Sequence, residues 1–166
     1  MDRVTLMDWD EFRTGLQATL RALTDRCVLV VAAPGRGGYV QFAAAAGELT
    51  AEAAGPQFTA GPAAHEADDP VMLAAGWTAP TRSGPNWSAP LRLPALTAEY
   101  AVLADRCVTA LRDVYRLPGP GALSYRAWRE PEPQPSGVSW TAERIDRLDP
   151  GENPLELPLL GLPSAG

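Results

Sequence analysis

The stretch from Cys27 to Ala53, CVLVVAAPGRGGYVQFAAAAGELTAEA, decides the fold of this 166-residue chain. It opens with an apolar, β-branched run that ends before a glycine-rich turn, Gly35 to Gly38. Apolar and polar positions then alternate along Tyr39 to Ala44 and again along Glu48 to Ala53. Short alternating runs separated by glycine turns are typical of antiparallel hairpins. We therefore predict a meander of three consecutive antiparallel strands.

Two long amphipathic helices are predicted on either side of this meander. In each, apolar residues recur at helical spacing and share one face. These positions are Trp9, Phe12, Leu16, Leu20 and Leu23 in the first helix and Tyr100, Leu103, Cys107, Leu111 and Val114 in the second. Asp8 and Thr97 stand where a side chain can cap the first turn of each helix. Both stripes must find an apolar surface, and one sheet can cover both.

Between the meander and the second long helix the pattern predicts two shorter elements. Asp69-Pro70 offers a cap followed by proline at the first helical position, and Gly76 ends this short helix. One more strand is predicted around Trp87, and Pro90 confines it to a sheet edge. Leu123 to Trp128 alternates like a final strand. The fold class is α+β, an antiparallel sheet of four to five strands against two long helices, in the order α-βββ-α-β-α-(β).

We predict a domain over residues 1–129 and a separate tail over residues 130–166. The tail holds seven prolines and an excess of acidic residues, so we expect it to be largely disordered or extended. Two of its segments have the pattern of contact segments. Thr141 can cap a short helix between Trp140 and Ile145, and the leucines of Leu155 to Leu162 suit docking better than solvation. We expect this leucine run to lie in the protein's own groove until a client displaces it.

Two tryptophans in a segment rich in turn formers are the most distinctive local feature. Trp77 lies in Gly76-Trp77-Thr78-Ala79-Pro80 and Trp87 in Gly84-Pro85-Asn86-Trp87. Large rings on stiff loops either plug the edge of a core or offer an ordered docking site for another chain. The sequence leaves both interpretations open. The candidate partner-binding residues are Tyr39, Phe42, Trp77, Trp87 and Trp128.

The residues offer little starting material for catalysis or for metal binding. His65 is the only histidine, and Cys27 and Cys107 are too far apart in sequence for a zinc or redox pair, so we expect two buried thiols. The net charge of −6 is concentrated in the tail, and no basic cluster suits nucleic acid or an anionic membrane. We expect no catalytic residues, no cofactor, no metal, no nucleic-acid or membrane partner, and a cytoplasmic location.

Six segments in order resemble the TY-Chap family of actinobacterial proteins, which is grouped with type III secretion chaperones and YbjN-like proteins. They are Asp8 to Phe12, Cys27 to Val30, Tyr39 to Ala43, Leu49 to Glu52, Gly76 to Pro80 and Pro85 to Trp87. The resemblance covers about residues 5–128 and implies a small α+β domain that binds peptides or client proteins.

Two hypotheses about function follow from these observations. The first is a non-enzymatic peptide- or protein-binding chaperone or adaptor that uses an aromatic-lined groove and an exposed sheet edge. The alternative is a structural or immunity-type interaction protein, bound to one fixed partner or self-associating as a homodimer.

Overall fold

The computed structural model describes residues 6–56 and 69–165 and shows an α+β fold. Its elements are α1 (Trp9–Ala22), β1 (Cys27–Ala32), β2 (Tyr39–Ala45), β3 (Glu48–Ala53), α2 (Asp69–Ala75), β4 (Trp87–Arg92), α3 (Thr97–Val108), β5 (Ser124–Arg129) and α4 (Ala142–Asp146). Single turns of other helix types lie at Thr109–Val114, Pro120–Ala122 and Pro158–Leu160. The predicted fold class and order of elements are confirmed. The prediction about His65 lies outside the described residues.

The five strands form one antiparallel sheet in the order β4-β3-β2-β1-β5. Gly35 and Gly37 adopt φ angles of 76° and 82° in the turn between β1 and β2, a region that favours glycine. The predicted meander is therefore confirmed. After α3 the chain returns as β5, which pairs with the free side of β1. The two edges of the sheet are therefore β4 and β5.

The core lies on one face of the sheet, where both long helices pack. Every strand buries alternate residues on this face, as β1 does with Leu29 and Val31 and β2 with Val40 and Phe42. The predicted helix stripes meet them: Phe12, Leu16 and Leu20 of α1 and Leu103, Cys107, Leu111 and Val114 of α3 and its following turn are buried. Each fully buried leucine contributes about 1.5–3 kcal/mol, so these stripes hold the helices on the sheet.

The ends of the two long helices differ from each other. Asp8 caps α1 as predicted, since its Oδ1 accepts the N–H of Glu11 at 2.8 Å and Glu11 Oε2 accepts the N–H of Asp8 at 3.1 Å. The predicted cap at Thr97 is wrong, because Thr97 is already helical and the extended residue before it is Leu96. The carboxylate of Glu99 accepts the N–H of Leu96 at 2.7 Å and satisfies that amide instead.

The helix continues beyond α3 as a wider turn over Thr109–Val114, where the N–H of Tyr115 donates to the carbonyl of Ala110 at 2.8 Å. This hydrogen bond spans five residues instead of four. The apolar stripe runs through the turn without interruption, so the sequence pattern carries no sign of the widening.

Candidate functional site

Three of the five candidate aromatic residues are interior. Phe42, Trp77 and Trp87 have exposed fractions of 1%, 2% and 5%, and all three belong to the core cluster. The indole N–H of Trp77 donates to the carbonyl of Arg106 at 3.2 Å, which satisfies its one polar atom inside the protein. Of the two positions that the sequence left open for Trp77 and Trp87, the structure shows burial in the core. That they bind a partner remains a prediction, with no exposed ring surface to support it.

Tyr39 and Trp128 are half-buried; Trp128 lies on the opposite face of the sheet from the core, whereas Tyr39, at the start of β2, packs against the core cluster. Tyr39 Oη donates to Asn86 Oδ1 at 3.2 Å, and the indole N–H of Trp128 donates to Glu130 Oε1 at 2.6 Å. Strand β1 separates the two residues, and Trp128 is paired across the strands with Val28. The structure therefore does not bring the five candidates together in one groove.

The outer edge of β5 is occupied by residues 149–165, which we call the C-terminal strap. The strap first pairs with Arg129, whose N–H and carbonyl bond Glu152 at 2.8 and 3.0 Å. The N–H of Leu155 then donates to the carbonyl of Ala127 at 2.8 Å. After leaving the edge, the strap returns to Tyr125, whose N–H and carbonyl bond Pro163 and Ala165 at 3.0 and 2.8 Å. The strap thus meets the sheet edge at two isolated bridges, antiparallel at Arg129 and parallel at Tyr125, with the turn Pro158–Leu160 between them.

Two arginines of the body hold the first part of the strap. Arg129 donates to Asp149 from Nε at 2.7 Å and from Nη2 at 3.1 Å, a bidentate contact, and it reaches Glu152 at 3.2 Å. Arg26 donates to Asp149 Oδ2 at 3.0 Å. These contacts, with the N–H of Gly151, hold the pKa of Asp149 well below its ordinary value, the hydrogen bond from Arg129 being the largest cause.

The middle of the strap packs its leucines against α1. Leu160 is completely buried, and Leu155, Leu157 and Leu162 pack partly buried against the core. The turn Pro158–Leu160 comes so close to α1 that a Cβ added at Gly15 would lie 2.8 Å from the carbonyl oxygen of Leu159. Gly15 therefore allows this close approach of two backbones.

An apolar cleft of about 310 Å³ remains beneath the strap. The end of α1 lines one side with Thr19, Ala22 and Leu23, and the strap lines the other from Leu155 to Leu159. Cys27 also lines this cleft with an exposed fraction of 3%. The strap therefore covers the cleft without filling it.

The other edge of the sheet is less open to an added segment. On β4, Ser88 exchanges two backbone hydrogen bonds with Thr78 at 2.8 and 3.1 Å. Two residues further along the same edge lies Pro90, which has no N–H to offer. The edge of β5 is therefore the one whose two ends exchange backbone hydrogen bonds with another segment of the chain.

The sequence predicted the docking leucines of this site but not the charged residues and the glycine that hold the strap. No sequence pattern singled out Arg26, Arg129, Asp149 or Gly15. The available signals were a glycine in the middle of an amphipathic helix and leucines in an acidic tail.

In the part of the chain that the structure describes, no group of side chains is arranged for metal binding or thiol chemistry. Within residues 6–56 and 69–165 no three His, Cys, Asp or Glu side chains are placed to hold a metal ion. Both cysteines are buried and unpaired by disulfides, and burial raises the pKa of the Cys107 thiol far above its ordinary value. No helix in these ranges has the length and apolar character that a membrane crossing requires.

Comparison with known proteins identifies the family. The chain belongs to the family described as TY-Chap3, the T3SS (YopN, CesT) and YbjN peptide-binding chaperone 3, whose sequence model matches residues 2–129. This match confirms the resemblance seen in the sequence. No curated protein and no solved structure matches the chain significantly.

Proposed function

We propose, with this family membership as the premise, that the protein binds an extended segment of a client polypeptide along the outer edge of β5 and in the cleft beside α1, and catalyses no reaction on it. The observation that carries the proposal is the strap, a segment of the same chain whose backbone hydrogen-bonds to this edge at Arg129, Ala127 and Tyr125. Backbone hydrogen bonds at a sheet edge give affinity for many sequences, and side-chain pockets add selectivity.

The client displaces the strap in this proposal. Among strap residues only Leu160 is fully buried, so most of its side chains keep contact with solvent in the docked state. Residues 130–148 connect the strap to β5 and are almost entirely exposed, so the strap can leave without disturbing the sheet. Segments with few buried contacts open at low free energy compared with the core. An occupied edge lowers the apparent affinity for a client in proportion to the small open fraction.

A peptide selection tests this proposal. A library of random 15-residue peptides is selected against the full-length chain and against its Gly15→Ala variant, in which the strap is pushed from α1. We expect peptides that bind the variant more tightly than the wild type. Thr14→Ala is the matched control, because this neighbouring α1 residue is exposed. The proposal fails if neither chain binds any peptide, or if Gly15→Ala and Thr14→Ala bind the selected peptides equally.

A second candidate, one fixed partner or a second copy on the open face of the sheet, is supported by the half-buried Val28, Val30 and Trp128 there. A Trp128→Ala variant separates the two candidates. Loss of a dimer in sedimentation, with peptide binding unchanged, would assign this face to self-association.

A further inference from the structure

The strap also shows which chemistry the site recognises. We infer that the site selects client segments in which a carboxylate precedes a leucine-rich run, as Asp149 precedes Leu155 to Leu162. This inference rests on the proposed function and names the class of client.

The charge requirement comes from the two arginines at the start of the β5 edge. Arg26 and Arg129 both contact Asp149 Oδ2, at 3.0 and 2.7 Å, so two guanidinium groups share one carboxylate as a counter-charge. Their side chains have exposed fractions of 23% and 26%, which makes water a poor substitute for the carboxylate. A client without an acid at this position leaves two adjacent cations without a shared counter-charge. Leaving the two arginines without a carboxylate costs free energy, so a client that lacks the acid binds less tightly.

The backbone of Arg26 supports the same interpretation. This residue adopts a left-handed conformation with φ 69°, which is uncommon for a residue with a long side chain. Its N–H donates to the carbonyl of Ala44 at 2.7 Å, its carbonyl accepts the N–H of Glu130 at 2.8 Å, and its Nη1 donates to the carbonyl of Glu130 at 2.8 Å. Three hydrogen bonds thus hold this residue in place, and its Nη2 also donates to Asp149.

The apolar requirement comes from the leucine contacts further along. Leu160 fills a completely buried position beside α1, at the place where Gly15 admits the backbone of the strap. Leu155 and Leu157 line a cleft of about 310 Å³ that they only partly fill. Apolar walls that lack partner atoms lose dispersion contacts, so a client residue that fills the cleft better gains affinity over the strap.

The probe for this inference is a fluorescent synthetic peptide with the sequence of residues 149–165, measured by anisotropy against full-length Gly15→Ala protein. A matched acid-free peptide carries Asp149→Asn, Glu152→Gln and, at an exposed position, Glu156→Gln. Charge-assisted hydrogen bonds are among the stronger ones, so we expect about tenfold weaker binding of the acid-free peptide at low salt. This difference shrinks at about 1 M salt, where the Debye length is about 3 Å.

A second protein variant tests the same point without reliance on Gly15. Full-length Asp149→Asn protein has lost the carboxylate of its own strap, and we expect it to bind the intact peptide more tightly than the wild type does. Adding Arg129→Gln to this variant should weaken binding of the intact peptide relative to the acid-free peptide, because only the intact peptide carries the carboxylates that Arg129 contacts.

The outcomes separate this inference from the proposed function. Equal affinity of the intact and the acid-free peptides, at low salt and in both protein variants, overturns the acid requirement and leaves the peptide site in place. Failure of every variant to bind either peptide removes the proposed function and the inference together.

Discussion

Replacing Gly15 with alanine separates the docking of the strap from the stability of the helix beneath it. The added Cβ would lie 2.8 Å from the carbonyl oxygen of Leu159 and 3.3 Å from that of Leu160. Both atoms belong to backbone, so the strap turn must move as a unit to relieve the contact. The substitution keeps every side chain with which a client would interact.

The magnitude follows from two opposing effects. Alanine raises the helix propensity of α1 by about 1 kcal/mol, whether the strap is docked or detached, so this gain does not change the strap equilibrium. The overlap destabilises only the docked state, at about 1–3 kcal/mol by analogy with overpacked cores. The population with a detached strap therefore rises roughly 5- to 150-fold.

The two cysteines of the chain supply the assay. Cys27 lines the cleft beneath the strap, whereas Cys107 is wholly enclosed between α3 and the sheet. Alkylation by iodoacetamide, followed by mass spectrometry, reads strap opening at Cys27 and unfolding of the core at Cys107. We expect Gly15→Ala to accelerate labelling of Cys27 by roughly 5- to 150-fold, in proportion to the detached population. The labelling rate of Cys107 should not rise. The reasoning is refuted if Cys27 labels at the wild-type rate or if both thiols accelerate together, and Thr14→Ala should change neither.

Three further perturbations have defined outcomes. Leu160→Ala should lower the free energy of strap docking or of unfolding by about 2–5 kcal/mol, because Leu160 is fully buried. The control Leu159→Ala, at an exposed neighbour, should change it by about 0.5 kcal/mol or less. Equal effects of the two substitutions in urea titrations would contradict the packing described. Because Arg129, the N–H of Gly151 and Arg26 lower the pKa of Asp149 in the docked state, its contribution is fully present above the ordinary carboxyl pKa of about 4 and is lost as the pH falls below it. NMR positions of the Leu155 and Ala165 amides should therefore shift towards detached values on acidification, and a pH-independent docked strap would disprove the role of the carboxylate. Trp77→Phe removes the hydrogen bond to Arg106 and should cost about 1–3 kcal/mol of stability with peptide affinity unchanged; weaker peptide binding at full stability would restore Trp77 as a docking residue.

The helices and strands could be predicted from the sequence because their patterns of apolar residues are local. The helix stripe from Phe12 to Leu20 and the alternation from Tyr39 to Ala53 each require one buried face, and only one arrangement of helix or strand provides it. The capping box at Asp8 is likewise contained within four residues.

The site was harder to predict from the sequence because its contacts join residues that are distant in the sequence. Arg26 and Asp149 meet across the whole length of the domain, and nothing near either residue in the sequence marks the pairing. The leucine pattern indicated that the end of the chain docks, but not on which edge. For Trp77 and Trp87 the loop composition was compatible with either burial or exposure, and the difference depends on how α2, β4 and α3 close around them.

The central claim is that the strap and a client compete for the β5 edge, and hydrogen exchange of the full-length chain tests it most directly. Exchange is measured with and without a saturating peptide from the library selection. The account predicts that the amides of Leu155, Leu157 and Ala165 lose their protection when the peptide binds, while those of β2 and β3 keep theirs. Unchanged protection of the three strap amides in the saturated complex would contradict it.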